Sequence, residues 1–207
     1  MYLQITTRCN MHCAHCCMDA TATGKDMPLD IVRAALGHGE EYVTIGGGEP
    51  TLHPDFYEIL CLAISSAGPQ GVHVITNGKV KERALVLARL AQVGAIGAEL
   101  SVDDYHEPPD PEVLHAFTKQ KNNANTNDLR GIRTVTRILA RGRGESIPGA
   151  IDECACPDVF VAPDGNIYLC GCKTNLIGNA FDGWTIPDGY EYGECAEEYR
   201  KRCENNE

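Results

Sequence analysis

The stretch Tyr2-Leu3-Gln4-Ile5-Thr6-Thr7-Arg8-Cys9-Asn10-Met11-His12-Cys13-Ala14-His15-Cys16-Cys17 decides how the rest of the chain is read. Its first six residues alternate as a β-strand. The strand runs directly into three cysteines spaced Cys9-x3-Cys13-x2-Cys16. Thiolates this close can hold three corners of a cubane [4Fe–4S] cluster and leave its fourth iron without a protein ligand. Such an iron can bind and activate a small molecule, whereas a four-thiolate site is closed. Zinc is the alternative, but zinc motifs usually pair two two-cysteine knuckles.

Beyond this loop, strand-like and helix-like runs alternate to about residue 140. Strands are expected at 42–45, 72–75, 95–102 and 132–139, with helices at 28–36, 54–66, 81–93 and 111–121. Alternating βα units imply a parallel sheet covered by helices, open or closed into a barrel. Residues 122–127 read as a polar loop and 141–149 as a Gly-rich linker. The remainder has a different grammar. Residues 160–169 read as a β-hairpin with a two-residue turn at Asp164-Gly165, and 194–203 as a short helix. So small a piece has little core of its own, and its six cysteines suggest that metal staples it.

A length of 207 residues with 43% apolar composition suits one compact domain, or one domain with a small appendage. Eighteen basic against twenty-nine acidic residues give a net charge of −11, which makes the chain a poor general binder of bare nucleic acid or anionic membrane. No apolar run approaches the ~18 residues of a membrane span, and residues 1–5 lack the basic and apolar regions of a signal peptide. A cytoplasmic location is therefore expected. Eleven cysteines, an odd count in clustered spacings, point to metal or redox chemistry rather than a disulfide framework. Cys61, alone within an apolar helical pattern, reads as a small buried hydrophobe.

The cysteine spacing, together with Gly46-Gly47-Gly48-Glu49-Pro50 after the second strand, resembles the radical SAM superfamily. The resemblance implies a shortened partial (βα)5-6 barrel over residues 1–145. It also implies a [4Fe–4S] cluster on Cys9, Cys13 and Cys16 whose open iron chelates S-adenosylmethionine (SAM). Reductive cleavage of SAM then gives a 5′-deoxyadenosyl radical that abstracts hydrogen from a substrate, with electrons from a flavodoxin- or ferredoxin-like donor of low potential. Gly47, Gly48 and Glu49 would hold the methionine amino group. The residues suit that task in themselves, since glycine lets a carbonyl approach closely and Glu49 offers an anion to an ammonium. Thr76-Asn77 after the third strand, and Ser101 and Asp103 at the end of the fourth, occupy the carboxyl ends where parallel βα folds place their chemistry. They are candidate cofactor contacts, with loop structure or capping as the alternative. His15 stands where the family often carries an aromatic residue near adenine, and imidazole can stack.

Arg133 and Arg137 can share one face and reach the cofactor carboxylate or the substrate. The plainer reading is a solvated edge with Arg130, Arg141 and Arg143. Five βα units are found where the family usually has six. Either a sixth strand lies around 147–153, or the barrel is short and broad-mouthed, which suits a large substrate or partner. Cys17 is a buried thiol or a hydrogen donor to a substrate radical. Asp104 and His106 offer acid–base groups beside the mouth, or simply a loop.

In the C-terminal part, 146–207, Cys154-x10-Gly165-x4-Cys170 resembles the opening of SPASM and twitch domains, which carry auxiliary clusters. Cys195 and Cys203 would complete one ligand set; Cys154, Cys156, Cys170 and Cys172 form another. Four of these six would hold a second [4Fe–4S] cluster, or Zn²⁺. The leading expectation is hydrogen abstraction from a peptide or protein. Alternatives are a nucleotide or nucleic-acid base, favoured only by the Arg130–Arg143 strip, and glycyl-radical activation of a partner protein. A non-catalytic iron–sulfur carrier or zinc protein would need neither the open iron nor Gly-Gly-Glu.

Overall fold

The structure, a computed structural model, describes residues 1–119, 127–152, 158–191 and 194–204. Strands β1 (Tyr2–Thr6), β2 (Val43–Gly47), β3 (Val72–Thr76), β4 (Gly97–Ser101) and β5 (Arg130–Arg133) form a parallel sheet in spatial order β5-β4-β3-β2-β1. Helices α1 (Leu29–Leu36), α2 (Phe56–Ala67), α3 (Lys81–Gln92) and α4 (Pro111–Phe117) lie in the crossovers. The period-two patterns set the faces. Leu3, Ile5, Val43, Ile45, Val72, Val74, Ala98 and Leu100 are buried in the main core, whereas Tyr2, Ile75, Ser101 and Arg133 line a cavity. An α/β fold with a mostly parallel sheet is therefore as expected.

Helix α2 buries Phe56, Ile59, Leu60 and Ala63, spaced as one helical stripe. Cys61 falls off that stripe and is exposed, which corrects its reading as a buried hydrophobe. The 132–139 strand is also corrected: the β4–β5 ladder runs over Arg130–Arg133. Around 147–153 the described residues show a single parallel bridge, Leu139 to Ile151, in place of a sixth strand. Helix α4 ends at Phe117 rather than 121, and residues 120–126, most of the expected polar loop, lie outside the described residues.

Arg130 does not sit on a solvated edge. It is buried, with Nε 2.9 Å from Asp128 Oδ1, a terminal nitrogen 2.6 Å from Oδ2 and another donating to Ala116 O at 2.6 Å. The guanidinium draws the Asp128 carboxyl down to about 2. A depressed carboxyl stabilises the fold fully above its ordinary range near pH 4, and that stabilisation is lost as pH falls through about 2. Arg130→Gln is accordingly expected to cost about 2 kcal/mol at neutral pH. Urea titrations from pH 7 to 2.5 should show the difference from the parent chain shrinking towards the acid end without vanishing.

The C-terminal segment joins the same sheet. β6 (Phe160–Val161) pairs in parallel with β1 on the edge opposite β2. β7 (Asn166–Tyr168), β8 (Leu176–Asn179) and β9 (Gly183–Trp184) continue it antiparallel, giving nine strands in one sheet among the described residues. The expected 160–169 hairpin is present, but its turn is one residue longer than expected. Val161 pairs with Ile167, and Ala162 N donates to Asn166 O. Gly165 takes φ +85° there, the left-handed position of a three-residue hairpin loop. Helix α5 (Ala196–Glu204) closes the chain. Leu169, Cys170, Cys195 and Ala196 are buried in a small second core beneath it.

Candidate functional site

A cavity of about 250 Å³ opens at the carboxyl ends of β1–β5. The cysteine loop forms one side. Its base is tied by Cys9 N to Thr21 O at 2.8 Å and Thr7 N to Lys25 O at 2.8 Å. Its far end is held by the segment read as a linker, which is a 3₁₀ turn over Gly142–Ser146 packed on the loop. Arg143 N donates to Cys16 O. The Arg143 side chain donates to Cys13 O at 3.0 Å, Ala20 O at 2.8 Å and Asp19 Oδ1 at 3.1 Å. A Cβ on Gly142 would lie 2.7 Å from Cys16 O, so only glycine permits this approach. Arg143 is thus a brace for the cysteine loop rather than part of a solvated edge. If the three thiols hold a metal cluster, Arg143→Ala should leave the chain folded and lower the metal retained per chain after anaerobic gel filtration.

Cys9, Cys13 and Cys16 are half-buried and all line the cavity. Burial pushes the Cys9 and Cys13 thiols up, and the neighbouring thiols push them further. Mutually repelling thiolates in one cavity are a donor set that a cation relieves. Three soft donors, with room left in the cavity, fit a metal cluster with an open coordination position.

The Gly-Gly-Glu turn packs against the base of the cysteine loop. Gly48 N donates to Thr6 O and Glu49 N to Arg8 O, each at 2.8 Å. A Cβ on Gly48 would sit 2.2 Å from Arg8 O. Glu49 is fully buried. Its Oε1 accepts from Thr51 N (3.1 Å), Thr51 Oγ1 (2.5 Å) and Thr76 Oγ1 (2.7 Å), and its Oε2 from Asn77 N (2.7 Å). Burial raises its pKa while these donors work to lower it; the net shift is upward. Glu49 therefore ties the end of β2 to the end of β3, and Oε2 accepts a single bond from the described residues. Asn77 Nδ2 donates to Asn10 Oδ1 at 2.9 Å, beside Cys9 Sγ.

The third side carries Ser101, Asp103, His106 and His15. Asp103 Oδ1 accepts from Tyr105 N, His106 N and His106 Nδ1 (2.9 Å); Oδ2 accepts from Val135 N. Burial opposes ionisation of Asp103, but these bonds prevail and hold its carboxyl below the ordinary range. Its acceptor positions are spent organising the 103–106 loop. The His15 ring lies 4.9 Å from those of Tyr105 and His106. Burial first, then His106, lowers the His15 pKa. Arg133 and Arg137 line the outer wall and Cys17 the floor, its thiol pushed up by burial and by Cys16. Asp104 is exposed and outside the cavity lining.

Of the C-terminal cysteines, Cys170 and Cys195 are buried together, with Cys172 packed against them. Cys203 is exposed on α5, hydrogen-bonded to Tyr199. Cys154 and Cys156 lie outside the described residues. Sequence reasoning missed Thr51 and mistook Arg143, because their partners in the site come from distant strands and loops and no local spacing announces them.

The family described as the radical SAM superfamily matches residues 3–140. Mycofactocin maturase MftC of Mycobacterium ulcerans (strain Agy99) is 36% identical over 108 residues, 48% of this chain and 28% of that protein. GTP 3',8-cyclase of Chlorobaculum tepidum is 31% identical over 107 residues, 49% and 32% of the two chains. The matches thus span about a third or less of these relatives. Among solved structures, BtrN in complex with AdoMet and 2-DOIA superposes with a TM-score of 0.62 over 88% of this chain and 78% of its own, at 14% identity. SuiB of Streptococcus suis bound to S-adenosylmethionine gives 0.54 over 88% and 63%, also at 14%. These two likenesses concern the fold.

Proposed function

The chain belongs to the radical SAM superfamily, and we propose that it is a radical SAM enzyme whose substrate is a peptide or protein from which it abstracts hydrogen. The observation that carries this reading is the cavity itself, where the three thiols, the Gly-Gly-Glu turn and the wall of Arg133, Val135, Arg137 and Leu139 converge. The bound [4Fe–4S] cluster and SAM supply one electron and a 5′-deoxyadenosyl radical. Cys9, Cys13 and Cys16 ligate the cluster, and Glu49 with Gly47 and Gly48 receives the methionine ammonium. His15 offers a ring to adenine; Thr76, Asn77 and Ser101 offer polar contacts to the rest of the nucleoside. Arg137 pairs with the cofactor carboxylate. Asp103 acts through His106, fixing Nδ1 as donor and leaving Nε2 to give or take a proton. Cys17 is the thiol placed to quench a substrate radical.

The cysteine-rich tail is read as a twitch- or SPASM-like extension over 146–207, with Cys170, Cys172 and Cys195 in its metal site and Cys203 outside it. A second [4Fe–4S] cluster is the first reading of that site and Zn²⁺ the second. A flavodoxin- or ferredoxin-like protein in the cytoplasm supplies electrons. No helix among the described residues is long and apolar enough to cross a membrane. A nucleotide substrate is the competing reading, supported by the cavity-lining Arg133 and Arg137 and by the likeness to a GTP cyclase.

Anaerobic reconstitution followed by dithionite and SAM tests the reading. Deuterium from labelled cellular peptides should appear in 5′-deoxyadenosine. Deuterium arriving only from labelled nucleotides would transfer the assignment to that class.

A further inference from the structure

The outer wall of the cavity is the segment that includes and follows β5. Every second residue, Arg133, Val135, Arg137 and Leu139, lines the cavity. Ile132, Thr134 and Thr136 between them do not line it and are exposed, Ile132 by 42%, as are the cavity-lining Arg133 and Arg137. A period of two is the mark of extended backbone. The inner side is engaged: Val102 N donates to Arg133 O at 2.8 Å and Val135 N to Asp103 Oδ2 at 3.2 Å. The parallel ladder, which ends at Arg133, turns the main-chain N–H and C=O of Ile132 the other way, and the same alternation carried one step past its end turns those of Thr134 likewise. Among the described residues no strand pairs with that side, and the Leu139–Ile151 bridge lies beyond it. Ile132, Thr134, Val135 and Thr136 are all branched at Cβ, a composition that favours strand pairing. An edge of this kind is a template for another chain.

Charge narrows the occupant. Arg133 and Arg137 have no carboxylate within ion-pair distance among the described residues, whereas Arg130, Arg141 and Arg143 are each paired. The cofactor brings one carboxylate to a wall with two such guanidiniums, so one cation remains for the substrate. We propose that an extended peptide with an acidic side chain adds as a strand to the outer edge of residues 132–136. Its backbone pairs with Ile132 and Thr134, its carboxylate meets Arg133, and alternate side chains enter the cavity. This rests on the peptide reading above and gives it a docking geometry.

The test uses the reconstituted chain with SAM and a fluorescein-labelled library of eight-residue Thr/Val/Ser peptides carrying one Glu. Fluorescence polarisation should find binders whose Glu→Gln counterparts bind at least ~10-fold more weakly. Methylating alternate backbone nitrogens of a binder should abolish binding, and methylating the intervening ones should not. Arg133→Gln should erase the Glu/Gln difference. Thr134→Pro, which removes an outward N–H, should weaken binding at least ~10-fold, while Thr134→Ser, which keeps both the N–H and the hydroxyl that donates to Val102 O, should not. Circular dichroism checks that both variants fold, and the methylation series stands apart from that check. Binding that is indifferent to the methylation pattern overturns edge docking and leaves the peptide reading intact. If no peptide binds, the docking fails; GTP binding or consumption in the same preparation would take the peptide reading with it.

Discussion

Cys13→Ala should reduce reductant-dependent formation of 5′-deoxyadenosine from SAM to the no-enzyme background. Cys13 is the middle member of the Cys9, Cys13 and Cys16 set that lines the cavity, on a loop tied from both ends. A cubane with two protein ligands has two open irons and is lost or rearranged. If the tail carries a second cubane, iron should fall from about eight to about four per chain. Cys203→Ala, on the exposed face of α5, should leave the iron unchanged. Equal iron in the Cys13 variant and its parent would mean that the N-terminal thiols hold no cluster. Anaerobic iron and sulfide assays with chromatography of the nucleoside products settle both points.

The second large effect falls on Glu49. Glu49→Gln keeps the shape of the side chain but turns one acceptor into a donor. With Oε1 receiving three bonds and Oε2 one, the new amide nitrogen faces Asn77 N at 2.7 Å. Two donors face each other in a fully buried place, which costs about 1–3 kcal/mol of stability. The anion available to the cofactor ammonium is lost as well. A charge-assisted bond of about 2 kcal/mol corresponds to roughly a 30-fold loss of SAM affinity. Thermal unfolding without SAM measures the first effect and equilibrium dialysis with labelled SAM the second. Unchanged affinity in a destabilised variant would make Glu49 a structural tie alone.

Much of the architecture was legible because local patterns carried it. The alternation in Val43–Gly47 and Val72–Thr76 and the stripe of α2 are short-range signals, and parallel βα order follows from them. The end of β5 was not legible. The 132–139 run is rich in strand formers, and alternate residues from 133 to 139 do face the cavity. A ladder, however, needs a partner, and β4 ends at Ser101. Cys61 was misjudged because an apolar helix looks alike on all faces until its neighbours are known. The three thiols and Gly-Gly-Glu could be found from spacing. The Arg143 brace could not, since its partners lie about 125 residues away and glycine-rich sequence normally signals slack. Asp103 was picked out by its strand-end position, yet its bonds go to Tyr105, His106 and Val135. Only the folded loop reveals that preference.

Both flanks of β1 are occupied, by β2 on one side and by the short β6 on the other. The segment that delivers the three thiols is thereby stitched to a partner encoded about 160 positions downstream. Shortening the gene to its first two thirds would strip one flank of that strand and leave sticky backbone exposed. The tail is part of the foundation of the strand that leads into the cysteine loop, and swapping it between homologues would disturb that loop whatever else the tail does.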